Sequence, residues 1–135
     1  MKTMFALLIG IVSSVTLSSG PTYGAGTPNL TRSVSGGGVT VKVTQLKDVT
    51  DDLRFSVALD THSVNLDVYD LKALSVLRDP TGAVMQPTEV ENKGSGHHRQ
   101  IVLIFPRASA DWKWLEVVIK DVAGVKERTF RWERN

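Results

Sequence analysis

The residues of this chain best suited to chemistry are its three histidines, and they stand in two places. "NKGSGHHRQIVLIF" (92 to 105) sets His97 and His98 between a glycine-rich loop and an apolar run, while "LDTHSV" (59 to 64) sets His62 in a polar cluster. Neutral imidazole nitrogen suits zinc or copper(II), and a carboxylate can complete the shell. Asp60 is the nearest oxygen donor to His62, with Asp67, Glu89 and Glu91 as further candidates. No cysteine occurs anywhere, so no thiolate can ligate a metal or attack a substrate. Met85 falls in an expected hairpin, which argues against a blue-copper centre. The spacing also lacks the one-turn separation of a helical zinc motif. A plainer reading uses the same residues. Asp60, Thr61, His62 and Ser63 all bond nearby backbone groups readily, and His98 can donate to Asp60 or to a carbonyl, which would lock the loops with no ligand.

Catalysis finds little support. Ser63 adjoins His62, but sequence neighbours rarely form a nucleophile–base pair, and there is no "GxSxG" elbow. Phosphate loops, dinucleotide fingerprints and helical metalloprotease motifs are also absent from the sequence. Glu89 and Glu91 could be cast as a sugar-hydrolysing pair, yet like charges at alternate strand positions usually line a solvated face. No enzymatic activity is expected.

The elements that would position the histidines follow a two-residue rhythm. "VTVKV" (39 to 43) alternates valine with polar residues, and "LRFSVAL" (53 to 59) puts Leu53, Phe55, Val57 and Leu59 on one face. "LKALSVL" (71 to 77) fits either a strand or a single helical turn. Asp79-Pro80-Thr81-Gly82 has proline and glycine where a tight turn needs them, so a hairpin is expected there. "QIVLIF" (100 to 105) is apolar on both faces; "WLEVVIKDV" (114 to 122) and "RTFRWE" (128 to 133) close the domain around a turn at Gly124. About seven short strands with turn residues between them predict an all-β, immunoglobulin-like antiparallel sandwich, with a small barrel as the alternative. Phe55, Phe105, Phe130, Trp112, Trp114 and Trp132 are expected mainly in or beside its core, Trp112 being the one set in a loop.

This arrangement bears directly on the histidines. If 53 to 60 and 98 to 105 pair antiparallel, the end of one lies beside the start of the other. His62 and the His97-His98 pair then share one rim. Neighbouring strand residues point to opposite faces, so His98 with His62 is the better pair. His97 joins them only if "GSG" (94 to 96) turns it back.

Compartment and partners come from the ends and the charge. One lysine, the apolar "MFALLIGIVSSVTL" and the small-residue "SSGPTYGAG" describe a secretory signal peptide over 1 to 25, with an uncleaved membrane anchor as the alternative. Residues 26 to 38 read as a flexible glycine- and serine-rich leader, and 39 to 135 as the sandwich. Sixteen basic against fourteen acidic residues leave a net charge of only +2, without a basic run, so no nucleic-acid partner is expected. A chain of 135 residues has room for one domain, and an exported domain without disulfides must be held by its core alone.

"ALDTHSVNLD", "GSGHHRQIVLIFP" and "VVIKDVAGVKERTFRW" resemble segments of a group of small exported or membrane-attached prokaryotic domains, over about 40 to 133. That resemblance brings no assigned activity. In architecture the expected sandwich is also similar to periplasmic copper-carrier domains. Those rely on an N-terminal histidine and methionine-rich loops, missing here, so their copper role does not carry over. The expectation is therefore an exported cell-envelope binding module, holding zinc or copper at the His62/His98 rim with Asp60 and His97 beside it. The alternative is a structural or protein-interaction domain in which the cluster only fixes loops. An envelope protein is the expected partner, a membrane only if the signal segment stays uncleaved. The oligomeric state is left open.

Overall fold

A computed structural model describes residues 29–47, 51–107 and 111–134. The expected signal segment, 1 to 25, and residues 26 to 28 lie outside them. Two antiparallel sheets make up the described chain. The first runs β1 (Thr31–Gly36), β2 (Val39–Gln45), β3 (Leu53–Thr61), β7 (His98–Phe105), β6 (Glu89–Gly94) from edge to edge. The second runs β5 (Val84–Met85), β4 (Ser75–Arg78), β8 (Trp114–Val122), β9 (Val125–Glu133). A 3-10 turn at Leu66–Val68 and the one-turn helix α1 (Leu71–Leu74) join β3 to β4.

The sheets do not close on each other, so the molecule is a sandwich and the barrel alternative falls. β2, β3, β7, β6 in one sheet and β4, β8, β9 in the other reproduce the strand order of a constant-type immunoglobulin sandwich. β1 and β5 are additions outside β2 and β4. Alternation builds the core: Val39, Val41 and Val43, then Phe55, Val57 and Leu59, then Ile101, Leu103 and Phe105 face inward from the first sheet. Leu115, Val117, Ile119, Phe130 and Trp132 answer from the second. The Phe55 ring meets Phe105 edge-on at 5.8 Å and Trp132 at 5.1 Å between centroids. Each such side chain withdrawn from water contributes about 1.5–3 kcal/mol, and no disulfide adds to it. Trp112 and Trp114 are only half-buried, with Arg131 lying 4.1 Å above the Trp114 ring. The doubly apolar β7 has a physical reason too. Val102 and Ile104 are buried on the outer face, where an Arg54–Glu91 ion pair (3.5 Å) reaches across β7 from its two neighbours.

Two turns behave as their residues dictate. Gly82 N donates to Asp79 O at 3.1 Å, and the Asp79 carboxylate accepts from Thr81 N (2.9 Å), the Thr81 hydroxyl (2.5 Å) and Ala83 N (3.3 Å). The Thr81 hydroxyl, above all, holds the Asp79 carboxyl below its ordinary pKa. Between β8 and β9, Ala123 and Gly124 both have positive φ (53° and 76°), the backbone of a tight hairpin turn.

One expectation needs correcting and two are refined. Among the described residues nine strands form, the expected seven or so with β1 and β5 added. Residues 31–36, assigned to the flexible leader, form β1. Hydroxyl pairs Thr31–Thr44 and Ser35–Thr40 (both 2.9 Å) zip it to β2, and Arg32 Nε donates to Arg131 O at 3.1 Å. An edge strand needs the ladder more than an apolar face, so its composition resembles a tether. The segment 71–77 is both readings in turn: Asp70 caps α1 by accepting from Lys72 N (3.1 Å), and β4 begins at Ser75.

Candidate functional site at the histidine-bearing pole

Register alone brings the two histidine segments together. Asp60 lies opposite His98 across β3 and β7, and Thr61 N donates to His97 O at 3.0 Å. Val39 pairs Thr61, so the β1–β2 turn sits at the same end. The second sheet joins there through Arg128, whose Nη2 donates to Gly36 O (2.6 Å), and through Ala123 N, which donates to the Tyr69 hydroxyl (3.0 Å). Four connections therefore share one pole: 37–38, 62–74, 95–97 and 123–124. The first and last approach so closely that a Cβ on Gly37 would fall 2.1 Å from Ala123 O, and Gly37 also has φ +62°. Only glycine fits.

Three side chains other than the imidazoles tie these loops to the strand ends. Thr61, 4% exposed, donates its hydroxyl to Gly38 O (2.8 Å) and accepts from Ser63 N (3.2 Å) and Val64 N (3.1 Å). Arg99 Nη1 donates to both Leu66 O and Tyr69 O at 2.7 Å. Arg128, 1% exposed, donates Nη1 to Val122 O at 2.8 Å, while its Nε has no partner. Burial draws the Arg128 pKa below the ordinary arginine value. These three side chains plug the end of the core with hydrogen bonds and leave the outer surface free.

The histidines occupy that outer surface. His98 Nδ1 lies 2.6 Å from Asp60 Oδ1, with the imidazole side chain 78% and Asp60 42% exposed. A histidine held through Nδ1 by a carboxylate presents Nε2 outward, as metal-binding histidines commonly do. His97 contributes its carbonyl to the ladder, and both His97 and His62 are exposed. Of the expected oxygen donors only Asp60 meets a ring. Asp67 accepts from Gly96 N (3.2 Å), and Glu91 pairs with Lys93 (3.0 Å) and Arg54, which together hold its carboxyl below its usual pKa. Glu89 is exposed on β6. Among the described residues no group of three or more histidine, aspartate or glutamate side chains is placed to hold an ion. The register thus unites Asp60 with His98, and puts His97 and His62 on the same pole without a complete ligand shell.

Sequence reasoning passed over Arg99 and Arg128, though a signal existed. Arg99 continues the inward series Phe105, Leu103, Ile101, and Arg128 continues Trp132, Phe130. A charged residue at an inward position near a strand end marks a side chain turned back onto loop carbonyls.

No protein-family model, curated protein or solved structure matches the chain. Among the described residues no helix is long and apolar enough to cross a membrane.

Proposed function

We propose that this chain is an exported β-sandwich interaction module whose working surface is the histidine-bearing pole, and that a cell-envelope protein is its partner. One observation carries the reading: the loops are fixed from beneath by Thr61, Arg99 and Arg128, so His62, His97 and His98 stand exposed on a rigid frame with no structural duty of their own beyond the Asp60 contact. Rigid scaffolds that present loop side chains are how sandwich domains bind. The exported location rests on the sequence of residues 1 to 25. Photo-crosslinking in the native cell tests the reading, with the reactive group at position 97 or, at the far pole beside the Leu53–Phe105 pair, at the exposed position 52. A discrete adduct from 97 alone, weakened by His98→Ala, supports it. No adduct, or the same one from both positions, overturns it.

A second reading is favoured by the Asp60–His98 pair specifically, which sets Nε2 as a single ready ligand for zinc or copper(II). One or two imidazoles hold an ion weakly unless a partner completes the shell. Titration of each ion into the purified chain distinguishes the readings: binding abolished by both His62→Ala and His98→Ala supports a metal role, and binding indifferent to both removes it.

A further inference from the structure

Beside the histidine rim a cleft of ≈ 410 Å³ opens between the 3-10 turn and the end of β6, lined by Asp67, Asn92, Gly94, Ser95 and Arg99. Its origin is local. The register of β6 on β7 slips between Asn92 and Gly94, and such a bulge tips an edge strand away from its sheet. Gly96, at φ +81°, then turns the chain so that its N–H meets Asp67.

The two charged walls are each held in place, and neither is used up. Asp67 spends one oxygen, Oδ1, on Gly96 N. Arg99 spends only Nη1, on the Leu66 and Tyr69 carbonyls. That leaves its Nε–H and Nη2–H edge, a two-pronged donor whose shape matches a carboxylate. Asp67 and Arg99 share the cleft yet form no ion pair with each other. A guanidinium and a carboxylate that line one cleft unpaired, with the Asn92 amide and the Ser95 hydroxyl between strand and turn, complement a ligand carrying both charges.

We propose that this cleft binds a small zwitterion of the amino-acid or dipeptide class, its carboxylate on the free edge of Arg99 and its ammonium on Asp67. The proposal does not rest on the histidine reading, since no histidine lines the cleft. Because the cleft is open to water, the charge contacts are screened and the affinity is modest, on the order of millimolar.

The test is an NMR titration of the 15N-labelled chain with glycylglycine, following the amides of Gly94, Ser95, Gly96 and Arg99. N-acetylglycine, which lacks the ammonium, and glycinamide, which lacks the carboxylate, are the comparison probes. Saturable shifts at those amides with glycylglycine, at least about tenfold tighter than with either comparison probe, are expected. Asp67→Asn keeps an oxygen for Gly96 N–H and removes only the charge. It should lower glycylglycine binding to the level of N-acetylglycine while the remaining spectrum stays unchanged. No shifts at the cleft, equal affinity for all three probes, or unaltered binding by Asp67→Asn would each overturn the proposal.

Discussion

Replacing Thr61 by valine separates the groups that hold the pole from the groups displayed on it. Valine has nearly the same volume and suits a strand, so the packing of a side chain that is 4% exposed is kept. Three hydrogen bonds are lost: to Gly38 O at 2.8 Å, from Ser63 N at 3.2 Å and from Val64 N at 3.1 Å. All are partly shielded from water, and each such bond contributes about 1 kcal/mol, more where the abandoned backbone group stays buried. The sum is a loss of about 2–4 kcal/mol, which at a typical urea slope lowers the unfolding midpoint by roughly 1–2 M. The comparison chain carries His62→Ala, His97→Ala and His98→Ala together. Its rings are exposed, and an exposed pair such as Asp60–His98 contributes about 0–1 kcal/mol, so its midpoint should barely move. Equilibrium urea unfolding of both variants beside the parent chain is the assay. A Thr61→Val loss below about 0.5 kcal/mol, or a triple-histidine loss equal to it, would show that the imidazoles hold the loops after all.

Further expectations concern the leader and one carboxylate. A chain beginning at Val39 gives up β1, the Trp132 Nε1 donation to Leu30 O (2.8 Å) and the Arg32 contact to Arg131 O, and should lose at least about 2 kcal/mol in urea unfolding. An unchanged midpoint would restore residues 31–36 to the status of a tether. Asp79 has a folded pKa below its ordinary value of 3.8, so its charged form stabilises the native state above that pH and the contribution is lost as pH falls below it. Asp79→Asn should therefore flatten the acid limb of a melting-temperature profile and leave its slope near neutrality alone. An unaltered acid limb would contradict this.

The sandwich was legible because burial imposes a period of two on any strand with one wet face, and β2, β3 and β9 display it openly. The rim was legible for a related reason. Antiparallel pairing of 53–60 with 98–105 fixes which ends meet, and it brought Asp60 opposite His98. β1 was hidden because an edge strand with one half-buried apolar residue, Val34, is stabilised by ladder and hydroxyl bonds that leave no apolar pattern. That Thr61 bonds the backbone of its own loop was among the expectations, whereas the roles of Arg99 and Arg128 were hidden because they depend on which carbonyls the folded loops bring to the strand ends. Sequence spacing carries no such information, although the inward position of each residue hinted at it.

The proposed histidine-bearing surface depends on the juxtaposition of residues 60 and 98, and a chain free of cysteine allows it to be trapped chemically. The Thr61 N to His97 O bond makes Asp60 and His98 a non-hydrogen-bonded pair, with Cα atoms about 4.5 Å apart, inside disulfide range. Asp60→Cys with His98→Cys should oxidise completely within one chain, whereas Asp60→Cys with Gln100→Cys, a diagonal pair at roughly 7–8 Å, should keep its thiols. Closure of the first pair alone is the result this fold requires; free thiols in both, or closure only between chains, would contradict it.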